Sequence, residues 1–174
     1  MMGRFGIPED QPIENSLVSR ALENAQSKIE GLNFDMRKHL LEYDEVVNYQ
    51  RQTIYERREA IVLGGVLEIN NFIKAGLARV SLNPEDLEKL EQEINNKQIS
   101  LGEEDFVRLA RRVILQVIDL HWVEHLEMID YMRGSVRLRA YGQRDPLVEF
   151  KREGLRLFKE LELVIWEEAL GFLA

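Results

Sequence analysis

From Ile13 to Asn83 the chain contains no proline, and large side chains recur at Ile29, Leu32, Met36, Leu40, Tyr43, Val47, Ile54 and Ile61, with Gln50 and Arg57 at the remaining positions of the same stripe. Steps of three and four residues place all of them on one face of an α-helix. A continuous helix from Ile13 to Ile61 would run on the order of 70 Å at 1.5 Å per residue. A rod of that length cannot be covered by the rest of a 174-residue chain. The stripe therefore predicts an all-α, elongated fold with apolar surface left over for a second copy of the chain or a missing partner.

Punctuation residues divide what surrounds the rod. Residues 1–12, with Gly3, Gly6 and Pro8, read as a lead-in without its own core, and Pro12 suits the first turn of a helix. The long helix occupies residues 13–61, and Gly64-Gly65 marks its break. A weaker region, residues 62–104, contains Asn83-Pro84-Glu85-Asp86, which has the pattern of a cap, a first-turn proline and an acidic first turn. That short helix runs through Leu87, Leu90 and Ile94, and Asn95-Asn96 is expected to end it. Ser100 and Glu103 then have capping-box spacing ahead of Phe106, Leu109, Val113, Val117, Leu120, Met128 and Met132, a second long amphipathic helix. Asp145-Pro146 caps a last helix with Phe150, Leu157, Phe158, Leu161 and Ile165 on one face. Residues 105–174 thus read as a helical hairpin with its tip at about residues 134–145.

Composition narrows the classes of function. The formal charge of -8 argues against nucleic-acid binding, which needs a broad basic face. There is no cysteine, so disulfides and thiolate metal sites are excluded. The longest apolar run, Ala60 to Leu67, is far short of the roughly 20 residues that span a bilayer. The expectation is a soluble, cytoplasmic chain.

Chemical motifs are few. His121-Trp122-Val123-Glu124-His125 matches H-x-x-E-H, in which two imidazoles four apart share a helix face and Glu124 would serve a metal-bound water as base. A zinc hydrolase needs a third ligand, which the sequence does not identify, and Leu120 and Met128 place the region on a packing stripe. No phosphate-cradling G-x-x-x-x-G-K-[ST] is present, so the chain alone should not hydrolyse ATP. Arg51, Arg57 and Arg58 with Glu56 and Glu59 read as a solvated face with i,i+4 pairs, with contact to another domain as the alternative, and Glu167-Glu168 reads as solvated too.

The hairpin tip is the more informative feature. Between Asp130 and Asp145 there is no carboxylate, while Arg133, Arg137, Arg139 and Arg144 surround a lone Tyr141. Arginine and tyrosine are the residues most often found at binding hot spots, so the tip is expected to meet a partner rather than merely keep a loop soluble.

At this level the order of segments resembles the SecA family, the ATP-driven motors of bacterial preprotein export. Asn33 to Lys38 (NFDMRK), Leu40 to Val46 (LLEYDEV), Gln50-Arg51 and Ile54-Tyr55 look like its long scaffold helix. Leu115 to Leu126 (LQVIDLHWVEHL), Met128 to Arg133, and Arg137 to Pro146 (RLRAYGQRDP) with Glu149, Lys151, Arg152 and Glu153 look like its two-helix finger. Arg4-Phe5-Gly6 resembles the end of the second nucleotide-binding domain, and residues 62–104 look like a shortened helical wing. His125 matches a family position and His121 does not.

The resemblance implies that Tyr141, flanked by Arg137, Arg139, Gln143 and Arg144, contacts the translocating polypeptide and the SecY channel. It also implies that Arg37, Tyr43, Asp44 and Arg51 lie on the scaffold where other domains dock. The partners so implied are the nucleotide-binding and preprotein-binding domains of the motor, SecY and unfolded preprotein, with a homodimer as a further expectation. No cofactor is implied in this chain, since ATP and Mg²⁺ belong to motor domains that the sequence lacks. The implied location is cytoplasmic, peripheral at the inner face of the cytoplasmic membrane through the channel. Two other readings are a free-standing helical adaptor that binds along Leu32 to Ile54, and a small zinc hydrolase using His121, Glu124 and His125.

Overall fold

The computed structural model describes residues 16–139 and 145–174, all in helices or the short joints between them. Five helices follow one another among the described residues: α1 (Ser16–Leu63), α2 (Val66–Leu77), α3 (Pro84–Leu101), α4 (Glu103–Arg139) and α5 (Pro146–Leu173). The all-α fold read from the periodicity is the fold observed. The chain divides into two units, Met1–Glu42 and Tyr43–Ala174.

In the first unit the described residues are helical, and their apolar side chains are open to solvent. Leu22, Ile29, Leu32, Phe34, Met36 and Leu41 are each more than half exposed. Among the described residues of the unit, no tertiary partner covers them.

The second unit is built on the pairing of α4 with α5, whose backbones make the most extensive contact in the molecule. Two apolar clusters hold it together. The larger gathers Ile54 and Ile61 of α1, Ile69, Phe72 and Ile73 of α2, Ile94 of α3, and the facing residues of α4 and α5 from Phe106 to Trp122 and from Phe158 to Leu173. The smaller contains Tyr43, Ile129, Met132, Val136, Phe150 and Leu157. Burying an aliphatic or aromatic side chain stabilises by about 1.5–3 kcal/mol, so these clusters define the unit.

Local chemistry explains most of the boundaries. Gly64-Gly65 separates α1 from α2, as the sequence suggested. Asn83 caps α3, its side-chain oxygen accepting from the Asp86 N–H at 2.8 Å. Asn95-Asn96 does not end that helix, which continues to Leu101. The penalty for an exposed helical asparagine is only a fraction of a kcal/mol, and the chain stops instead at Gly102, where φ is +80°. The expected Ser100–Glu103 capping box is not formed either, because the Ser100 hydroxyl donates to the Lys97 carbonyl within α3 at 2.9 Å. The carbonyl of Gly102 instead accepts the Phe106 N–H, the first bond of α4.

The buried face of α4 also differs from expectation. Leu120 and Met128 are 52% and 51% exposed, while Trp122, His125 and Ile129 point inward. This helix carries apolar residues on two faces, and the true stripe passes through an indole and an imidazole.

Candidate functional site

The hairpin formed by α4 and α5 is the candidate site. Gly134 does not interrupt α4, which runs on to Arg139 because Met132 and Val136 remain buried on its inner side. Opposite, the Asp145 carboxylate accepts the Leu147 N–H at 2.8 Å, and Pro146 opens α5. Arg137 and Arg139 therefore occupy the last turn of α4, with side chains outside the described residues. Tyr141, Gln143 and Arg144 also lie outside the described residues.

Below the tip, the C-terminal part of α1 forms a seat for both arms. Tyr43 is 7% exposed and meets Phe150 edge-on, with ring centres 4.8 Å apart. On its other side stands Arg133, whose guanidinium lies 5.7 Å from the Tyr43 ring centre and 3.3 Å from the Asp44 carboxylate. Arg133 thus belongs to the seat, although in sequence it stands among the tip arginines.

Two turns further along α1, the Gln50 side chain is buried between the arms. Its amide nitrogen donates to the Gly154 carbonyl at 2.9 Å, and its amide oxygen faces Nε2 of His125 at 2.9 Å. A backbone carbonyl only accepts, so the amide oxygen must turn to His125, and His125 Nε2 carries the proton. Burial pushes the His125 pKa below its ordinary value, so the ring is neutral around pH 7.

Toward the end of α1 the arginines reach outward to the arms. Arg57 donates to Glu162 at 2.5 Å and stacks 5.1 Å from the Trp166 ring centre. Arg58 makes a two-pronged pair with Asp119, at 2.8 and 3.3 Å. The expectation of i,i+4 pairs along α1 is therefore wrong for both residues: a long flexible guanidinium finds carboxylates on α4 and α5 that linear spacing cannot show. Arg111 of α4 closes the helix terminus by donating to the carbonyls of Ile61 at 3.1 Å and Gly64 at 2.5 Å. Arg51 is exposed, and exposed Arg37 donates to the Asn33 carbonyl one turn back at 3.3 Å.

The two other chemical readings meet a different geometry. His121 lies between Glu124 and Glu168, with its Nδ1 2.9 Å from Glu124 and its Nε2 hydrogen-bonded to Glu168, whereas His125 turns to Gln50. The two rings therefore have different partners, and no cluster among the described residues has the ligands for a metal ion. Glu168 is not merely solvated, as the sequence suggested. The Gly64-Gly65 joint offers no phosphate cradle, because the Gly65 N–H is already taken by the Glu68 carboxylate at 2.7 Å. Among the described residues no helix is long and apolar enough to cross a membrane.

A helical hairpin seated on one long helix, with two short helices packed at the far end of the same core, defines an all-α scaffold-and-hairpin protein. The model of the SecA wing and scaffold domain matches residues 12–83 and 69–174, and the chain belongs to that family. Among curated relatives, the protein translocase subunit SecA of Heliobacterium modesticaldum is 34% identical over 217 residues, covering 99% of this chain and 26% of the relative. Those of Kineococcus radiotolerans and Syntrophus aciditrophicus are 36% and 35% identical, covering 98% of this chain in each case. The chain spans about a quarter of the length of these relatives. Alignments of 217 positions against 174 residues mean that the relatives hold residues in the matched span that this chain lacks.

Proposed function

We propose that this chain is the scaffold-and-finger portion of a SecA-type translocase, carrying motion generated by ATP in other domains to a polypeptide in the SecY channel. The observation that supports it most is the seating of both hairpin arms on α1 through Tyr43, Gln50 and Arg57, directly below an arginine-rich, carboxylate-free tip. A hairpin held at several levels by one helix moves with that helix.

In this reading Tyr141 touches the translocating chain through its amphipathic ring, and Arg137, Arg139, Gln143 and Arg144 flank the contact against polypeptide and channel. Arg37 and Arg51, both exposed, remain available to the nucleotide-binding and preprotein-binding domains. Tyr43 and Asp44 serve the hairpin seat as well as any such contact. Residues 62–104 form a shortened wing, here α2 and α3, in keeping with the longer matched span of the relatives. ATP and Mg²⁺ bind in domains outside this chain, and the protein works at the inner face of the cytoplasmic membrane without spanning it. A second copy of the chain is a further partner for the uncovered stripe of the first unit.

The test is translocation by a complex that supplies the nucleotide-binding and preprotein-binding domains. Tyr141→Ala is expected to abolish or strongly slow preprotein movement while ATP hydrolysis continues. Unchanged translocation would sink the proposal.

A further inference from the structure

The two apolar clusters of the second unit are not continuous on the inner faces that meet at the hairpin seat. Along α1 the sequence of buried residues runs Tyr43, Gln50, Ile54; along α4, Ile129, His125, Trp122. Along α5, Phe150 and Leu157 belong to the smaller cluster and Phe158 to the larger, with Gly154 a turn from both aromatic residues. Gln50 meets both His125 and Gly154 where the clusters adjoin, through two buried hydrogen bonds. Gln50 and His125 are the only polar side chains among the buried residues described, at 2% and 5% exposure.

Apolar layers alone specify axial position weakly. Leucine, isoleucine and methionine faces slide past one another by a helical turn with little change in buried area, as coiled coils without a polar core residue do. A buried amide behaves differently: displaced by one turn, it would leave the His125 ring N–H and its own two ends in an apolar environment without partners. Gly154 adds a steric component, since a Cβ there would lie 3.3 Å from Val46 Cγ1 and 3.8 Å from Gln50 Nε2. The glycine lets α1 approach closely enough for Gln50 to reach the backbone of α5. One side chain of the scaffold helix is thereby keyed to both arms of the hairpin at once.

We propose that the Gln50–His125–Gly154 layer is the registration key of the finger, fixing a single axial setting of the hairpin on the scaffold helix so that displacement of one is handed to the other without slip. Gln50 and His125 are positioning residues and touch no substrate. The hand-over rests on the scaffold-and-finger reading; the single setting is a property of this chain alone.

The experiment replaces the polar layer by apolar side chains in the full chain, as Q50L with H125L and, as a second pair, Q50M with H125F. Buried polar groups exchanged together for apolar ones of similar volume commonly leave a fold as stable as before or more so. The natural absence of cysteine allows the register to be read by a short thiol cross-linker from D44C to R133C, the native neighbours, and from D44C to D130C, one turn away. The unaltered layer is expected to give the native cross-link alone and one set of amide resonances. The apolar pairs are expected to remain helical and melt cooperatively, yet to give both cross-links and doubled or broadened resonances in α4 and α5. A single native register in both pairs would overturn the key. Failure of both to fold would overturn it equally, by showing that the layer serves stability. If register is lost while Tyr141→Ala translocates normally, the key stands and the finger reading falls.

Discussion

The guanidinium of Arg133 rests 5.7 Å from the ring centre of Tyr43, so a cation counted by sequence with the tip is held by the scaffold helix. Tyr43 in turn closes against Phe150 of the opposite arm, and this places one aromatic ring between the two helical arms of the hairpin.

That sandwich makes unequal predictions for its members. Tyr43→Ala should cost about 3 kcal/mol, as removal of a buried aromatic side chain does. Arg133→Ala should cost only about 1 kcal/mol, since Asp44 is more than half exposed and most of the loss is the ring contact. Urea unfolding of the two single variants and the double variant would show a coupling between them. Fully additive losses would mean that the guanidinium and the ring do not interact.

The two histidines of α4 should oppose each other in their response to pH. Partial burial pushes His121 down, but hydrogen bonds to Glu168 and Glu124 outweigh it and raise its pKa above the ordinary 6.5. Its contribution to stability is therefore full below pH 6.5 and is lost as pH rises through the raised folded value. Burial lowers the pKa of His125, so its contribution is present above pH 6.5 and is lost as pH falls through the lowered folded value. Melting curves of His121→Gln beside the unaltered chain should show a deficit at pH 6 that shrinks by pH 9. A deficit independent of pH would refute the imidazolium–carboxylate pairing.

Gly154 faces two competing effects. Alanine in a helix interior gains about 1 kcal/mol over glycine. Here the added Cβ would press on Val46 at 3.3 Å, so Gly154→Ala should come out near neutral. Gly154→Val has no such balance and should lose about 1–3 kcal/mol by overpacking, with the Gln50 amide pushed off its carbonyl. Denaturant midpoints decide the matter: a stabilised valine variant would show that α1 does not approach as closely as described.

How much of this was legible in the sequence depends on whether the signal was periodic or pairwise. The stripe Tyr43, Gln50, Ile54 and Ile61 was readable because helical spacing is a one-dimensional property, and the caps at Asn83 and Asp145 because their chemistry is local. Gln50 and Arg57 were visible as polar members of that stripe, but what they reach was not. Gly154, Glu162 and Glu168 lie more than forty residues from their partners, and no spacing rule spans such a distance. The inner face of α4 was misread at Leu120 and Met128 because hydropathy ranks a leucine above a histidine, whereas burial followed the hydrogen bond available to His125. The Asn95-Asn96 ending failed for the opposite reason: a weak local preference was outvoted by the packing of Ile94 and the stronger stop at Gly102.

The uncovered side chains between Leu22 and Leu41 have a consequence for how the protein behaves in bulk. Seven large apolar groups there face water, and a net charge of -8 is what keeps such molecules apart. That repulsion reaches about 30 Å at 0.01 M salt but only about 8 Å at physiological ionic strength. The attraction between the apolar groups is not screened, so colloidal stability should be a property of dilute buffer, giving way as salt rises unless something occupies the stripe.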